Sequence, residues 1–171
     1  RDRSVSRGLG DVYKRQGIHS PKLAELSDDC FFKRHGRRIY DRSRYQLDFR
    51  NPEVIAHANE VIDRVVNEYG VGYIKMDYNI EPGIGTELDA DSFGEGLLAH
   101  ERAYLAWLDT VFEKYPDLVI ENCSSGGLRM DYALLSRLSI QSTSDQEEYD
   151  IFGGRGTACA HQSGSYNHGG I

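Results

Sequence analysis

The chain has 171 residues, of which 27 are acidic and 20 are basic, so its formal net charge is −7; this length allows about one domain with a sizeable core. The acidic balance argues against a nucleic-acid partner, because surfaces that bind nucleic acids cluster Lys and Arg, and no apolar run approaches the roughly 18 residues of a membrane span. The three cysteines, Cys30, Cys123 and Cys159, form neither a disulfide framework nor a Cys-x-x-Cys pair, which predicts a reduced, cytoplasmic protein.

The two ends of the chain differ in composition from its middle. Residues 1–16 mix Arg, Lys, Ser and Gly without helical or strand periodicity, and they resemble translated adaptor sequence, so we expect a non-native N-terminal arm. Residues 150–171 are dense in Gly, which is typical of a loop; we expect an irregular tail, for which a shifted reading frame is one explanation. His161 and His168 in this tail lack a convincing third metal ligand. The expected folded domain is residues 17–149.

A helix signal begins at Asn51. Asn51 can cap a helix, Pro52 suits the first helical position, and Glu53 faces the positive end of the helix dipole. Apolar residues then recur at spacings of three and four, and Gly70 follows them as a terminating glycine. The predicted buried stripe consists of Val54, Ile55, Ala58, Val61, Ile62, Val65, Val66 and Tyr69.

Short runs of β-forming residues alternate with further helix signals. We predict strands at 45–49, 71–77, 118–122 and 139–143, and helices at 96–114 and 131–138. This alternation is typical of βαβ units and a parallel sheet, and the long segment from Asn79 to Gly96 is typical of a functional loop. The longer helix has a predicted stripe of Leu97, Leu98, Tyr104, Leu105, Leu108, Val111 and Phe112.

Charged residues stand at the predicted strand ends. Lys75 and Asp77 are two apart and share a face, at the C-terminal end of a strand, where α/β folds bind ligands. Glu121 and Asp145 stand near the ends of the next two strands. Two converging carboxylates suit glycosidic cleavage, because one attacks or stabilises while the other transfers a proton. An ordinary ion pair of Lys75 with Asp77, and Asp145 as a helix cap, explain the same pattern.

Residues 122–127, Asn-Cys-Ser-Ser-Gly-Gly, predict a small-residue turn that lets a ligand approach the backbone. A tight turn around a buried, inert Cys123 explains this pattern equally. A nucleophilic cysteine would need a histidine base, and none lies between His100 and His161. The sequence contains no Gly-x-Ser-x-Gly motif and no nucleotide-binding glycine motif.

Four motifs, in this order, resemble the catalytic core of glycoside hydrolase family 36, the α-galactosidases or melibiases. They are residues 42–48 with 51–54, residues 75–79 (Lys-Met-Asp-Tyr-Asn), residues 121–129 and residues 143–145. The resemblance covers about residues 17–148 and implies an α/β fold, a partial (β/α)8 TIM barrel with roughly the middle βα units, since a whole barrel takes about 250 residues. Met76 and Arg44 depart from the family pattern, and from Met76 we expect altered packing against the sugar.

The resemblance also implies roles for individual residues. Asp77 would be the nucleophile that forms a glycosyl-enzyme ester, and Asp145 would be the general acid and then the base. The implied substrate-binding residues are Arg42, Lys75, Asn79, Cys123, Gly126 and Arg129. The implied activity is retaining hydrolysis of terminal α-linked galactose from melibiose- or raffinose-type sugars, without metal or other cofactor, in an enzyme expected to be a homo-oligomer.

Three alternatives stay open. The first is the same chemistry on α-N-acetylgalactosaminides, or galactosyl transfer to an acceptor sugar. The second is a catalytically inert fragment, which describes the 171 residues by themselves better, because a partial barrel exposes sheet edges and apolar helix faces that favour association. The third is a cysteine hydrolase that uses Cys123.

Overall fold

The computed structural model describes residues 15–17, 19–41, 44–79 and 83–144. The chain divides into two compact units. Of the described residues, the smaller unit contains 72–79 and 117–144, and the larger unit contains the others. Arg42, Asp145, the whole predicted tail and nearly all of the predicted N-terminal arm lie outside the described residues.

The larger unit begins with short antiparallel strands and one short α-helix. They are β1 (Arg15–Gly17), α1 (Lys22–Glu25), β2 (Lys33–Arg34), β3 (Arg37–Arg38), β4 (Tyr40–Asp41) and β5 (Arg44–Gln46). β5 lies between β1 and β4, and β2 pairs with β3. The strand predicted at 45–49 is therefore present as β5 but antiparallel and shorter, because Leu47 makes only an isolated bridge with Phe31.

Helix α2 (Pro52–Asp63) continues into a π-helical turn at Arg64–Glu68. Its predicted start is confirmed, since the Asn51 side chain accepts the Glu53 N–H at 2.8 Å. Gly70 has a φ of +64°, the left-handed conformation that ends a helix. The π-helical turn has more residues per turn and changes the buried face, so Tyr69, predicted in the stripe, is 60% exposed. The buried members are Val54, Ala58, Val61, Ile62 and Val65.

Helix α3 (Phe93–Lys114) begins three residues earlier than predicted, because Ser92 caps it by accepting the Glu95 N–H at 3.1 Å. The prediction that Leu98 is buried is wrong, since Leu98 is 51% exposed. His100 and Trp107 are buried instead, and each forms a hydrogen bond through a ring nitrogen. His100 Nδ1 accepts the Phe49 N–H at 3.0 Å, and Trp107 Nε1 donates to Asn59 Oδ1 at 2.8 Å.

The smaller unit is a parallel three-stranded sheet with one short helix. Its elements are β6 (Tyr73–Asp77), β7 (Val119–Cys123), α4 (Tyr132–Leu135) and β8 (Ile140–Gln141). The strand order is β6-β7-β8, and both neighbouring pairs are parallel. The predicted α/β class is confirmed, and parallel pairing is confirmed for β6, β7 and β8, although α4 and β8 are shorter than predicted. None of the helices in the described part of the chain has both the length and the apolar character that a membrane span requires.

Candidate active site

The β6–β7 pair presents a polar face. Side chains alternate along a strand, so Tyr73, Lys75 and Asp77 share one face of β6. The register places Lys75 opposite Glu121 and Asp77 opposite Cys123. Five side chains with titratable groups therefore gather on one face of two neighbouring strands, and the prediction that Lys75 and Asp77 share a face is confirmed.

The opposite face of the same pair is buried. Ile74 and Ile120 lie opposite each other, as do Met76 and Asn122, and all four are at most 1% exposed. Met76 therefore fills a buried position on the face away from Asp77. The expectation that Met76 alters packing against the sugar is wrong, because alternation along β6 turns its side chain away from Lys75 and Asp77.

Asp77 is oriented by the residues that follow both strands. The Asn79 side-chain amide donates to Asp77 Oδ2 at 2.6 Å. The Ser125 N–H donates to Asn79 Oδ1 at 2.6 Å and lies 3.4 Å from Asp77 Oδ1. The carboxylate at the C-terminal end of β6 is thus fixed by neutral N–H donors.

The turn after β7 is tight. Ser125 and Gly126 have φ values of +44° and +81°, in the left-handed region that favours glycine. A Cβ on Gly127 would lie 3.0 Å from the Thr143 carbonyl oxygen. The turn is tied back to β6, because the Ser124 hydroxyl donates to the Tyr78 carbonyl at 2.5 Å. Small residues are therefore needed here to let backbone segments approach one another.

Cys123 is buried at the end of β7, with 1% of its surface exposed. Burial raises the pKa of the Cys123 thiol, whereas a nucleophilic cysteine needs a lowered one. The described residues of the smaller unit contain no histidine that could act as its base. Both observations argue against the cysteine-hydrolase alternative.

Glu121 accepts hydrogen bonds from two hydroxyl groups and forms an ion pair with Lys75. Its Oε1 lies 3.5 Å from Lys75 Nζ, the Ser142 hydroxyl donates to Oε1, and the Tyr73 hydroxyl donates to Oε2. Burial raises the pKa of the Glu121 carboxyl, but the hydrogen bonds from Ser142 and Tyr73 and the Lys75 charge lower it by more. Glu121 is therefore an ionised carboxylate and is poorly suited to be a general acid.

Lys75 stays charged in this setting. Burial lowers the pKa of Lys75, but the neighbouring Cys123, Glu121 and Asp77 raise it by more, so the net shift is upward. Its side chain is 39% exposed, so the ammonium is accessible from solvent. An accessible ammonium next to a carboxylate can bind a polar ligand such as a sugar hydroxyl.

Arg129 packs on an aromatic ring. Its guanidinium carbon lies 3.6 Å from the centroid of the Tyr78 ring, and its carbonyl accepts the Asn122 side-chain amide at 2.8 Å. Six of the eight predicted site residues thus belong to the smaller unit: Lys75, Asp77, Asn79, Cys123, Gly126 and Arg129. The other two, Arg42 and Asp145, lie outside the described residues.

Sequence reasoning missed Tyr73, Ser125 and Ser142. Tyr73 is two residues before Lys75, so strand alternation could have placed it on the same face. Ser125 contributes its backbone N–H, and Ser142 reaches Glu121 because of the register of β8. Neither role can be predicted from the type of residue. Within the described ranges, no cluster of three or more His, Cys, Asp or Glu side chains could hold a metal ion.

Comparison with known proteins extends the motif resemblance. Residues 20–150 match the family model described as Melibiase. The chain is 30% identical over 92 residues to α-galactosidase Mel36A of Lactobacillus acidophilus, which covers 53% of this chain and 13% of that protein. It is 29% identical over 99 residues to an α-galactosidase of Escherichia coli, covering 56% of this chain and 13% of that protein.

Solved structures agree with the fold. The GH36 α-galactosidase AgaA of Geobacillus stearothermophilus superimposes with a TM-score of 0.66 at 22% identity, over 79% of this chain and 19% of AgaA. The α-galactosidase of Lactobacillus brevis gives a TM-score of 0.68 at 19% identity, over 90% of this chain and 20% of that protein. The chain thus spans a fifth or less of the length of these relatives. It belongs to the melibiase family, and the glycoside hydrolase family 36 resemblance that its motifs carry is confirmed.

Proposed function

We propose that the full-length protein containing this segment is a retaining glycoside hydrolase that removes terminal α-linked galactose from oligosaccharides. The observation that carries the proposal is the Asp77 carboxylate at the end of β6, oriented by Asn79 and on the same face as Lys75. Family membership and the α-galactosidase names of the relatives support it. Variants of AgaA have been solved in complex with raffinose and with stachyose, which are oligosaccharides of the proposed substrate class.

The segment would supply the middle βα units of a (β/α)8 barrel, from residues 17–149. β6, β7 and β8 are then three successive barrel strands, because they are neighbours in chain order and parallel. Among the described residues β6 and β8 each pair on one edge alone, so strands elsewhere in the full-length protein would pair with their open edges. Active sites of such barrels lie at the C-terminal ends of the strands, where Asp77 is found.

In the first chemical step, a carboxylate oxygen of Asp77 attacks C1 of the galactosyl unit from its β face. The bond from C1 to the glycosidic oxygen breaks, and Asp145 gives its proton to that oxygen as the aglycone leaves. The product is a β-galactosyl ester of Asp77. Lys75, Asn79, Cys123, Gly126, Arg129 and Arg42 would line or orient the galactose.

In the second step, the Asp145 carboxylate takes a proton from water as the water oxygen attacks C1 from the α face. The ester bond to Asp77 breaks and Asp77 leaves as a carboxylate. Two inversions return galactose in its α form. This route places the two carboxyl groups about 5–5.5 Å apart.

The test is hydrolysis by the full-length protein. We expect 4-nitrophenyl α-galactoside and raffinose to be cleaved, with α-galactose as the first product detected by ¹H NMR. Asp77→Asn should abolish turnover, whereas Asp117→Asn, at an exposed position of the same unit, should not. Initial release of β-galactose would overturn the retaining mechanism.

The choice of sugar is tested with a second substrate. Faster cleavage of 4-nitrophenyl N-acetyl-α-galactosaminide than of the galactoside would favour the first alternative, and galactosyl transfer would appear as a higher oligosaccharide when raffinose is in excess. If the full-length protein cleaves neither aryl glycoside, the result would favour the alternative that it is catalytically inert.

We also propose that the full-length protein is a cytoplasmic homo-oligomer. The cysteines of the described residues, Cys30 and Cys123, are free thiols, which suits a reducing compartment. Size-exclusion chromatography with light scattering measures the assembly, and cell fractionation measures the location.

A further inference from the structure

Each oxygen of the Glu121 carboxylate has at least one polar partner. Tyr73 occupies Oε2, and Ser142 and Lys75 approach Oε1. These three partners come from β6 and from the residue after β8, so the β7 carboxylate joins all three strands of the smaller unit. With both oxygens occupied and only 15% of its side chain exposed, Glu121 has little capacity to contact a substrate.

Lys75 has two carboxylates, Glu121 and Asp77, on its own face of the sheet. Asp77 is two residues away on β6, close enough for a flexible lysine side chain to reach. Within the described part of the chain, however, the ion pair that Lys75 makes is with Glu121 at 3.5 Å, while Asp77 is held by Asn79. An ammonium seated directly on Asp77 would occupy an oxygen that must attack C1.

We propose that Glu121 is a positioning residue that holds the Lys75 ammonium beside Asp77 without letting it pair with Asp77. Lys75 then stays available to a sugar hydroxyl, and the Asp77 oxygen stays available to C1. Tyr73 and Ser142 fix the Glu121 carboxylate in the orientation that receives Lys75. The inference rests on the proposed function, and Glu121 acts through Lys75 rather than on the substrate.

The test is a double-mutant cycle in the full-length enzyme with 4-nitrophenyl α-galactoside. Glu121→Gln keeps the size of the side chain and removes its charge. We expect it to lower kcat/KM about tenfold in the wild-type background and by less than about twofold in the Lys75→Met background, because coupled residues are not additive. Glu121→Asp, which keeps the charge, should recover part of the loss.

A matched control is Glu60→Gln, which removes the exposed ion pair between Glu60 on α2 and Arg64 in the π-helical turn and should leave kcat/KM within about twofold of wild type, as expected for a surface pair. Thermal melts of all variants establish that they fold; if Glu121→Gln does not, Glu121→Asp replaces it in the cycle. A purely structural role for Glu121 would give the same loss in both backgrounds.

The outcomes separate the two proposals. Equal losses in both backgrounds, or wild-type kinetics for Glu121→Gln, would overturn the positioning role while the galactosidase proposal stands. Absence of hydrolysis by the wild-type protein would overturn both. A loss confined to the background that contains Lys75 supports the positioning role.

Discussion

Asn79 donates its side-chain amide to Asp77 Oδ2 at 2.6 Å and accepts the Ser125 N–H on its own carbonyl oxygen at 2.6 Å. One neutral side chain thus joins the carboxylate at the end of β6 to the turn after β7. An amide can do this because it has a donor and an acceptor at a fixed angle. The orientation of the proposed nucleophile therefore depends on a residue without charge.

Asn79→Asp is expected to impair the full-length enzyme. The new carboxylate repels Asp77, which favours protonation of the pair, so the acid limb of the kcat/KM profile should move to higher pH. Loss of the orienting donor should also lower kcat/KM at neutral pH by about 10²-fold, the size of effect expected from a misplaced reacting group. A pH–rate profile measures both.

The same substitution at Asn51 is the control. Asn51 caps α2, and Asp is accepted at that position as well as Asn, so Asn51→Asp should keep the wild-type profile. An unchanged profile for Asn79→Asp would contradict the orienting role of Asn79.

The two described cysteines should react slowly with iodoacetamide in the folded protein. Burial raises the pKa of Cys30 to about 11 and also raises the pKa of Cys123. Because the thiolate is the reactive form, both should resist labelling at pH 8 and react quickly after denaturation in urea. Peptide mass spectrometry measures each rate. Rapid labelling of native Cys123, accompanied by loss of activity, would restore the cysteine-hydrolase alternative.

Asp48 should stabilise the larger unit at neutral pH. It is 1% exposed, and Arg50 donates to its two oxygens at 3.0 and 2.6 Å. Burial raises the pKa of Asp48, but His100 and Arg50 lower it by more. A lowered pKa gives its full stabilisation above the unfolded value of about 3.9, and this is lost as the pH falls through the folded value.

Asp48→Asn is therefore expected to lower the local free energy of opening by about 3 kcal/mol at pH 7, since it removes the carboxylate partner of the largely buried Arg50 guanidinium. Below about pH 4 the difference in this opening free energy between Asp48→Asn and the wild-type protein should become smaller. Hydrogen exchange of the peptide that covers residues 44–60 measures it. Asp29→Asn removes an exposed carboxylate from Lys33, which keeps Asp28 as a partner, and should cost less than about 1 kcal/mol. A cost equal to that of Asp48→Asn would contradict the account.

Substitution by alanine at two glycines in the first turns of α3 should have opposite effects on the stability of the protein. A Cβ on Gly96 would lie 2.3 Å from the Thr86 carbonyl oxygen, whereas a Cβ on Gly94 meets nothing within 4 Å. Gly94→Ala should stabilise the protein by up to about 1 kcal/mol through helix propensity. Gly96→Ala should destabilise it, because backbone must move. Urea denaturation compares the two; equal effects would contradict the close approach of Thr86.

Elements with local signals were predictable from the sequence. The start of α2 depends on Asn51, Pro52 and Glu53, which are adjacent in the chain, and it was predicted correctly. The buried faces of the helices were harder to predict. His100 and Trp107 are buried, and their hydrogen-bond partners lie about 50 residues away in the chain. Hydrophobic periodicity considers apolar residues alone, so it does not predict the burial of polar side chains that have distant partners.

The site was predictable as far as strand alternation and motif resemblance extend. Lys75 and Asp77 share a face because they are two apart. That Glu121 pairs with Lys75, and that Ser142 reaches Glu121, depends on the register of parallel strands joined by long connections. Register of that kind is set by packing of the whole sheet and is not encoded locally.

The most direct test of the central claim is the product formed when azide is added to Asp77→Ala in the full-length protein. With 4-nitrophenyl α-galactoside, whose leaving group needs little acid assistance, azide should enter the space vacated by the carboxylate and attack C1 from the β face. If Asp77 is the nucleophile, the variant is nearly inactive alone and forms β-galactosyl azide, identified by NMR. Formation of α-galactosyl azide, or hydrolysis at the wild-type rate without azide, would contradict the assignment.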